Sequence, residues 1–424
     1  GSYLMSVAFD SNVNLTVEIG FDSGPFDNSQ SFTDISQYVR GINMRKGRSN
    51  ELGQFVAGTC SLLLSNADNR FNPTQTTHYY DSTEARTKIQ PLKVVRIRAT
   101  YDSSTYDLFY GFLDQIPVSY PALGADSVVT FGCVDAFKIF QSQTIQSVGW
   151  KLGQVGFTEL GTSTRLGFAD EVELSSKRIT RLLNSIGFPS ALRAIQTGTH
   201  DVQQQAVTKN LLAAMRECEL SENAQFYIGP DGSATFRNRD YKLSNTKAVN
   251  IQATFDNSGS NLPYEDVVTS FDTNEVLNVY EWTRDGGTTQ NVADADSINR
   301  YTAKTSTQST INTTDNEVKS IIEQKLSETS TPIERIDELQ ISPRQDVNLW
   351  PQVLGLGFGD RVKVNITNPN GSTFSDEVWI ESITHNISSS NQTWNYRISL
   401  SPAGSSAWIL GQAKLGEGTR FAYA

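Results

Sequence analysis

The chain has few of the residues that build reactive sites. Its 424 residues include only three histidines and three cysteines. No histidine has a second histidine or cysteine at metal-ligand spacing, which argues against a zinc site at His78, His200 or His385. The cysteines are far apart and each lies in an apolar pattern, so we predict buried free thiols at Cys60, Cys133 and Cys218.

Sequence motifs of catalysis and cofactor binding are also missing. There is no Gly-x-Ser-x-Gly elbow, no phosphate-binding Gly-Lys-Ser/Thr loop and no dinucleotide glycine fingerprint. Asp294 and Asp296 are two positions apart, a spacing that calcium-binding loops also use. The glycine and the distal glutamate of such a loop are absent, which favours a solvated turn. The adjacent Asp376 and Glu377 would face opposite sides of a strand. We therefore predict no enzymatic activity, no cofactor and no metal.

Long apolar runs and excess positive charge are absent as well. No stretch of about 18 uncharged apolar residues occurs, so the sequence predicts no membrane span. The first residues show no signal-peptide pattern. The net charge of −11 argues against non-specific nucleic-acid binding. A content of 38% apolar and 10% aromatic residues is typical of globular domains, and the length allows two to four of them.

The clearest positive feature is a pattern that occurs twice. Three runs of alternating apolar and polar residues cover positions 94–101, 109–116 and 127–136, and three more cover 361–367, 377–384 and 393–403. Such alternation predicts antiparallel strands with one buried face. We expect two similar three-stranded meanders whose cores receive Val95, Ile97 and Ala99 in the first, and Val362, Val364 and Ile366 in the second.

The remaining segments add helices and hairpins. Apolar residues at helical spacing predict helices over 177–186 and along a stripe from Val207 to Cys218. Thr314 and Glu317 form a capping-box pattern that opens a helix over about 314–328. Turn residues predict hairpins over 226–236 and 276–292.

These patterns together predict a β-rich α+β protein with two similar antiparallel β-barrel-like domains that flank an α+β insert. The expected boundaries are 5–145 for the first β-domain, 146–262 for the insert, 263–403 for the second β-domain and 404–424 for a C-terminal arm. One cluster of basic residues, over 40–48, has two interpretations: a phosphate site, or a solvated strand edge rimmed by arginine and lysine.

Several separate motifs resemble those of minor tail proteins of long-tailed bacteriophages. Residues 34–59 read DISQYVRGINMRKGRSNELGQFVAGT and are similar to the family pattern D-I-(T/S)-x-Y-V-R-x-x-x-x-R-R-G-R-x-x-E-L-x-x-F-x-A-G-T, with Lys46 in place of the second arginine. Residues 65–73 read SNADNRFNP and resemble D-N-x-D-x-R-F-x-P in a relaxed form. Further similar stretches are 91–98, 133–138, 297–301, 359–364 and 383–385. The resemblance is weakest in the insert.

The resemblance implies a virion component at the tail tip, made in the host cytoplasm. Proteins of this kind resemble the trimeric hub of contractile-tail baseplates, with two similar β-barrel domains per chain. A homotrimer would present six similar surfaces and could adapt a sixfold tail tube to a threefold tip. Its partners would be tube proteins and tail-fibre or tail-tip proteins, and DNA would pass through it without sequence-specific binding.

Two other functions compete with the hub. A receptor- or carbohydrate-binding tail module could use the fifteen tyrosines in a sugar groove. A peptidoglycan hydrolase would need a catalytic domain for which the motif search leaves no room. The C-terminal arm carries possible subunit or partner contacts at Trp408, Leu410, Phe421 and Tyr423. It could equally fold back on its own β-domain.

Overall fold

One large antiparallel sheet organises the molecule. The computed structural model describes residues 8–10, 13–118, 122, 126–144, 165–166, 172–203, 205–206 and 210–403. Fifteen strands belong to the large sheet, and smaller sheets of two or three strands surround it. The β-rich α+β class predicted from the alternating patterns is confirmed.

The first third of the chain is almost entirely strands because its apolar residues alternate. The pattern of buried and exposed positions in β5, for example, alternates from Ala57 to Ser65. The elements are β1 Ala8–Asp10, β2 Val13–Gly20, β3 Thr33–Asp34, β4 Val39–Gly47, β5 Val56–Ser65, β6 Tyr80–Asp81, β7 Arg86–Thr87, β8 Val94–Tyr101, β9 Ser104–Gln115, β10 Val128–Val134 and α1 Ala136–Ser142.

The middle of the chain, predicted as an α+β insert, contains helices and a small sheet. Two helices pack on a small sheet in which β13 lies parallel to β17 and β16 antiparallel to it. The elements are β11 Arg165–Leu166, β12 Glu173–Leu174, α2 Ser175–Ser185, β13 Arg193–Ile195, β14 Asp201–Val202, β15 Gln205–Ala206, α3 Leu211–Glu222, β16 Gln225–Ile228, β17 Ala234–Arg237, α4 Tyr241–Ser244 and α5 Thr246–Val249. The hairpin and both helices predicted here are confirmed, although Val207 lies outside the described residues.

The last third returns to strands. The predicted capping box is present, since Thr314 accepts a hydrogen bond from the Glu317 amide and the Glu317 side chain accepts one from the Thr314 amide. The elements are β18 Ile251–Asp256, β19 Leu262–Pro263, β20 Asp266–Ser270, β21 Val279–Arg284, β22 Gln290–Ala293, α6 Ala295–Tyr301, β23 Thr305–Thr310, α7 Asp315–Thr329, β24 Arg335–Ile341, α8 Leu349–Gly355, β25 Arg361–Thr367, β26 Thr373–Ser388 and β27 Thr393–Pro402.

Two groups of five strands repeat the same arrangement. The first module consists of β4, β5, β8, β9 and β10, which lie in the sheet in the order β8-β9-β10-β5-β4. The second module consists of β20, β24, β25, β26 and β27, in the order β25-β26-β27-β24-β20. Every pairing within each module is antiparallel, and the strands correspond one to one in chain order. The repeat seen in the sequence therefore extends from three strands to five.

The buried faces of the two meanders match the expectation closely. Val95, Ile97 and Ala99 are fully buried, as are Val362 and Val364. Ile366 is only partly buried. Both modules and the insert share one continuous hydrophobic core, while a small separate cluster lies beneath α7. The ladders of the described strands do not close into rings, so barrel closure stays a prediction.

Candidate functional site

The two modules meet along one strand pair, which we call the seam. Its strands are β4 of the first module and the second half of β26, paired from Gly47 opposite Ser382 to Gly41 opposite Ser388. The first half of β26 pairs with β25 instead. Strand β26 also pairs with β27 over most of its length. The pairing of β26 with β4 at the seam therefore joins both modules into one sheet.

A β-bulge marks the point where β26 changes partner. Ile380 lies opposite Leu400 and Ser382 lies opposite Ser399, so Glu381 is the extra residue between them. Bulges bend a strand and redirect it. The carboxylate of Glu381 is buried beneath this bend, with 1% of its side chain exposed.

Cations surround the buried Glu381 carboxylate. Arg48, which follows β4, donates from Nε to Oε2 at 2.5 Å, and Lys242 of the insert lies 3.5 Å from Oε1. Ser401 donates its hydroxyl to Oε1 at 2.6 Å. Burial alone would raise the pKa of Glu381, but the charges of Arg48 and Lys242 outweigh it and lower the pKa to about 2. The seam thus holds an ionised, fully satisfied carboxylate.

Glycines allow the backbones at the seam to approach closely. Gly47 has a φ of +111°, and a Cβ there would lie 2.3 Å from the Glu381 carbonyl oxygen. At Gly58, a Cβ would lie 2.8 Å from the Asp135 carboxylate. Gly47 therefore requires glycine, because a Cβ there would meet backbone atoms at a positive φ, whereas the atoms near Gly58 belong to side chains.

Side chains of the motif over 34–59 hold the turn between β4 and β5 against the second module. Arg48 stacks over the Phe55 ring at 4.8 Å and donates to the Glu51 carbonyl at 3.2 Å. The Glu51 carboxylate binds Arg335 of β24 through two hydrogen bonds, of 2.8 and 2.7 Å. Such two-point pairing fixes orientation as well as distance. The motif residues therefore join the modules rather than form a reactive site.

The strand-edge interpretation of the basic cluster over 40–48 is wrong, and the phosphate-site interpretation stays a prediction. Strand β4 is paired on both sides, with β5 and β26, so it is no edge. Lys46 is buried and donates its ammonium to the Leu108 carbonyl, which leaves no open phosphate site at this residue. Burial lowers the pKa of Lys46 to about 8. The alternating pattern of β4 places the Lys46 side chain in the protein interior. A count of basic residues could not show this burial.

The insert also contacts the seam. The ammonium of Lys242 lies 4.1 Å from the centre of the Trp379 ring, whose indole donates to the Ala248 carbonyl at 2.8 Å. Trp379 and Glu381 belong to the same strand, so Lys242 bridges two neighbouring positions of β26. These contacts hold the insert on the sheet beside the point where β26 changes partner.

The outer face of the seam is polar and carries few charges. One row crosses six strands, each residue opposite the next: Gln115, Gly132, Ser61, Asn43, Asn386 and Asn395. The next row contains Arg45 and Arg397, and the second of these binds Glu338 at 3.1 Å. A depression of about 190 Å³ on this face is lined by Asn43, Gln340, Thr384, Asn386, Asn395 and Arg397. None of these six side chains is aromatic, unlike the walls expected of a sugar groove.

The histidines and cysteines lie apart from the seam's ion cluster. His385 is buried, accepts a hydrogen bond from Trp394 at 3.1 Å, and has a pKa lowered by burial to about 3. All three cysteines are buried and free, as predicted, and Cys60 lies directly opposite Cys133 on the neighbouring strand. Within the described ranges, no three histidine, cysteine, aspartate or glutamate side chains are grouped to hold a metal ion.

Asp294 and the motif over 65–73 have structural roles. Asp294 caps α6 by accepting from the Ser297 amide at 3.0 Å, which agrees with a turn rather than a calcium loop. In the motif over 65–73, Asn66 accepts from the Phe71 amide at 2.9 Å, and Arg70 stacks on Tyr38 at 4.1 Å.

None of the helices in the described segments is long and apolar enough to span a membrane. The four aromatic and aliphatic residues proposed as contacts in the arm, Trp408, Leu410, Phe421 and Tyr423, lie outside the described residues.

Known structures with a similar fold give this architecture a context. No family model and no curated protein matches the sequence. The tail protein from Neisseria meningitidis MC58 aligns over 92% of this chain and 96% of its own, with a TM-score of 0.55 and 9% identity. The 43 kDa tail protein of prophage MuSo2 from Shewanella oneidensis aligns over 92% and 96%, with a TM-score of 0.53 and 12% identity. The chain shares the fold of these tail proteins. The expected similarity to phage tail proteins is confirmed at the level of structure.

Proposed function

We propose that this chain is a non-enzymatic structural component of a phage tail or a phage-derived tail particle. Its place would be the tail tip, as a hub. The fold shared with two tail proteins over 92% of the chain supports this assignment. The motifs that resemble minor tail proteins support it independently, because their residues build the seam.

The observation that carries the hub function is the fusion of two five-strand modules in one sheet. One polypeptide thereby presents the same strand arrangement twice. Three such chains would present it six times, so a homotrimer could contact a sixfold tube on one side and a threefold tip on the other. The two modules would be the barrel-like domains at 5–145 and 263–403, with the insert at 146–262 between them.

The polar face of the seam suits a surface that faces DNA. Cationic walls bind phosphates by releasing counterions and would slow a passing duplex. The central row of this face consists of amides, a hydroxyl and a glycine, without a charged residue, and the next row holds Arg45 and Arg397, of which Arg397 is paired with Glu338. A net charge of −11 agrees with such a path. We infer that this face lines the channel, with tube proteins above it and tip or fibre proteins below.

Purified tail particles from a host that produces this protein test the function directly. We expect the chain in the particle by mass spectrometry, and antibody labelling at the distal end of the tube in electron micrographs. Averaged images of that end should show threefold symmetry that continues into a sixfold tube. A chain absent from tail particles, or one distributed along the tube, contradicts the proposal.

The C-terminal arm offers a second test of assembly. Truncation after Pro402 removes Trp408, Leu410, Phe421 and Tyr423. If the arm contacts a neighbouring subunit or tail protein, the truncated chain keeps its unfolding temperature but no longer enters particles. If the arm covers its own β-domain, the unfolding temperature falls while assembly of the folded protein continues.

A further inference from the structure

The seam has a counterpart that the described residues of the single chain leave open. In the seam, β4 of the first module lies on the second half of β26. By the order of strands, the counterpart of β4 is β20, and the counterpart of β26 is β9. The residues that would correspond to the second half of β26 are therefore Gln115, the last residue of β9, and those that follow it; we call residues 115–118 the acceptor edge.

The bulges of β9 and β26 fix this correspondence residue by residue. In β9, Leu113 lies opposite Cys133 and Gln115 lies opposite Gly132, so Asp114 is the extra residue. In β26, the extra residue Glu381 lies between Ile380 and Ser382. An acidic residue thus occupies both bulges, and Gln115 takes the place of Ser382, where the pairing with β4 begins.

Among the described residues, the acceptor edge has a partner on one side only. Val118 bridges to Val129, which keeps this segment beside β10. On the other side, β8 ends its pairing at Phe112, and Leu113 forms the last backbone bonds to Leu92 and Lys93. Within the described residues no strand continues beyond that point. Gln115 and Pro117 are exposed, and proline is typical of a strand edge because it has no N–H.

In the part of the chain that the structure describes, strand β20 is an unprotected edge. Among the described strands it pairs only with β24. It contains no lysine or proline, the residues that commonly prevent edge strands from pairing with other chains. Val268 is 46% exposed, and Phe271, immediately after the strand, is 70% exposed. An edge of this kind is suited to strand addition.

We propose that β20 of one copy of this chain docks on the acceptor edge of a second copy, in the manner in which β4 docks on β26 within the chain. This inference rests on the proposed hub function. The contact joins unlike surfaces head to tail, and such contacts close into a ring when the rotation allows. A ring of three chains would contain six modules joined by six similar junctions, three within chains and three between them.

The new junction differs from the seam in how it is held. Pro117 lacks one ladder donor, so backbone hydrogen bonds are fewer than in the seam. No arginine follows β20 in the place that Arg48 has after β4. The exposed apolar side chains of Val268 and Phe271 supply the contact instead.

Sedimentation velocity of the full chain over a range of concentrations tests the docking. We expect the wild type to associate into a discrete oligomer. Val268→Lys combined with Phe271→Glu should weaken association at least tenfold, because it places charges in an apolar contact. The matched control is Leu243→Glu combined with Ile251→Lys, two side chains that are also exposed, at 38% and 42%, but lie elsewhere. This control should associate as the wild type does.

Hydrogen exchange identifies the strands involved. The amides of 267–270 and those of Gln115, Ile116 and Val118 should exchange more slowly in the oligomer than in the dilute monomer. A chain that is monomeric at every concentration overturns the inference, as does an oligomer whose association and exchange are unchanged by the β20 variant. Unchanged unfolding temperatures show that all variants are folded.

The same variants separate this inference from the hub function. If wild-type and β20-variant chains enter tail particles equally well, the docking is wrong and the tail function stands. If β20 variants dissociate in solution but the wild-type chain is found in no tail particle, the strand docking stands and the tail function is wrong. Binding of β20 to a tube protein in place of a second copy would also overturn the docking.

Discussion

The first and second modules share five strands in the same order, yet among the described residues only one of their two corresponding edge strands is covered by a strand of the other module. The edge strand β4 of the first module is covered by β26, and the turn after it is short, over 48–55. The edge strand β20 of the second module is uncovered among the described residues, and a long insertion over 271–334, with its own small core, follows it. A duplicated architecture therefore holds one completed junction and one incomplete one. By our inference, the uncovered edge is the one that a second chain pairs with.

Substitution of Gly47 should produce the largest effect, because it opens the completed junction. Gly47→Ala would place a Cβ 2.3 Å from the Glu381 carbonyl oxygen at a φ of +111°. Strain at such a position costs about 1–3 kcal/mol, and the backbone clash adds to it, so we expect the free energy of unfolding to fall by about 3 kcal/mol or more. Chemical denaturation measures this change.

The control for Gly47 is Gly286→Ala. Gly286 also has a positive φ, of +67°, but a Cβ there meets nothing within 4 Å. We expect a loss of about 1 kcal/mol at this turn. Equal losses at the two glycines would show that the seam does not require the close approach of its strands.

The buried ion pair of the seam should give the next largest effect. Arg48→Ala leaves Glu381 buried with only Lys242 and Ser401 as partners. Removal of one partner from a buried pair costs about 3–5 kcal/mol, and we expect the lower end because Lys242 remains. Glu381→Gln should cost less, and the double variant should cost less than the sum of the two. Additive losses in this double-mutant cycle would show that the two residues act independently.

Much of each module was predictable because its signals are local. Alternation over 94–101 or 361–367 needs no knowledge of distant residues, and the capping box of Thr314 and Glu317 spans four positions. The hairpin turn at Gly286 is equally local. Such patterns predicted the meanders and the helices.

The seam was not predictable, because its contacts join distant parts of the chain. Arg48 and Glu381 are 333 residues apart, and nothing near either residue indicates the other. The sequence also does not show that β4 is paired on both sides, because its partner β26 lies far away in the chain. A strand with several basic residues therefore resembled a solvated edge. One signal was available: Leu113-Asp-Gln-Ile116 and Ile380-Glu-Ser-Ile383 match within the repeat and mark both bulges.

Acid should weaken the completed junction through Glu381. Its pKa, about 2 in the folded chain, lies below the value near 4.3 of an unfolded glutamate. A carboxyl group whose pKa is lower in the folded chain stabilises the fold at pH values above its pKa in the unfolded chain. This stabilisation is lost as the pH falls toward its pKa in the folded chain. The difference of about two units corresponds to about 3 kcal/mol, lost between about pH 4.5 and pH 2. Urea titrations at several pH values should show this loss in the wild type and a smaller one in Glu381→Gln.

The smallest effect is expected at the matching position of the incomplete junction. Asp114 occupies the bulge of β9 as Glu381 occupies that of β26, but its side chain is 26% exposed and its nearest cation, Lys138, lies 3.8 Å away. Exposed pairs of this kind contribute about 0–1 kcal/mol, so Asp114→Asn should change the free energy of unfolding of the dilute monomer by less than about 1 kcal/mol. Denaturation at low protein concentration measures it. A loss as large as that of Arg48→Ala would mean that the edge of β9 is already closed within one chain, and would remove the difference between the two junctions. If instead the substitution is silent in the monomer but alters association, the bulge of β9 is completed only when a second chain covers it.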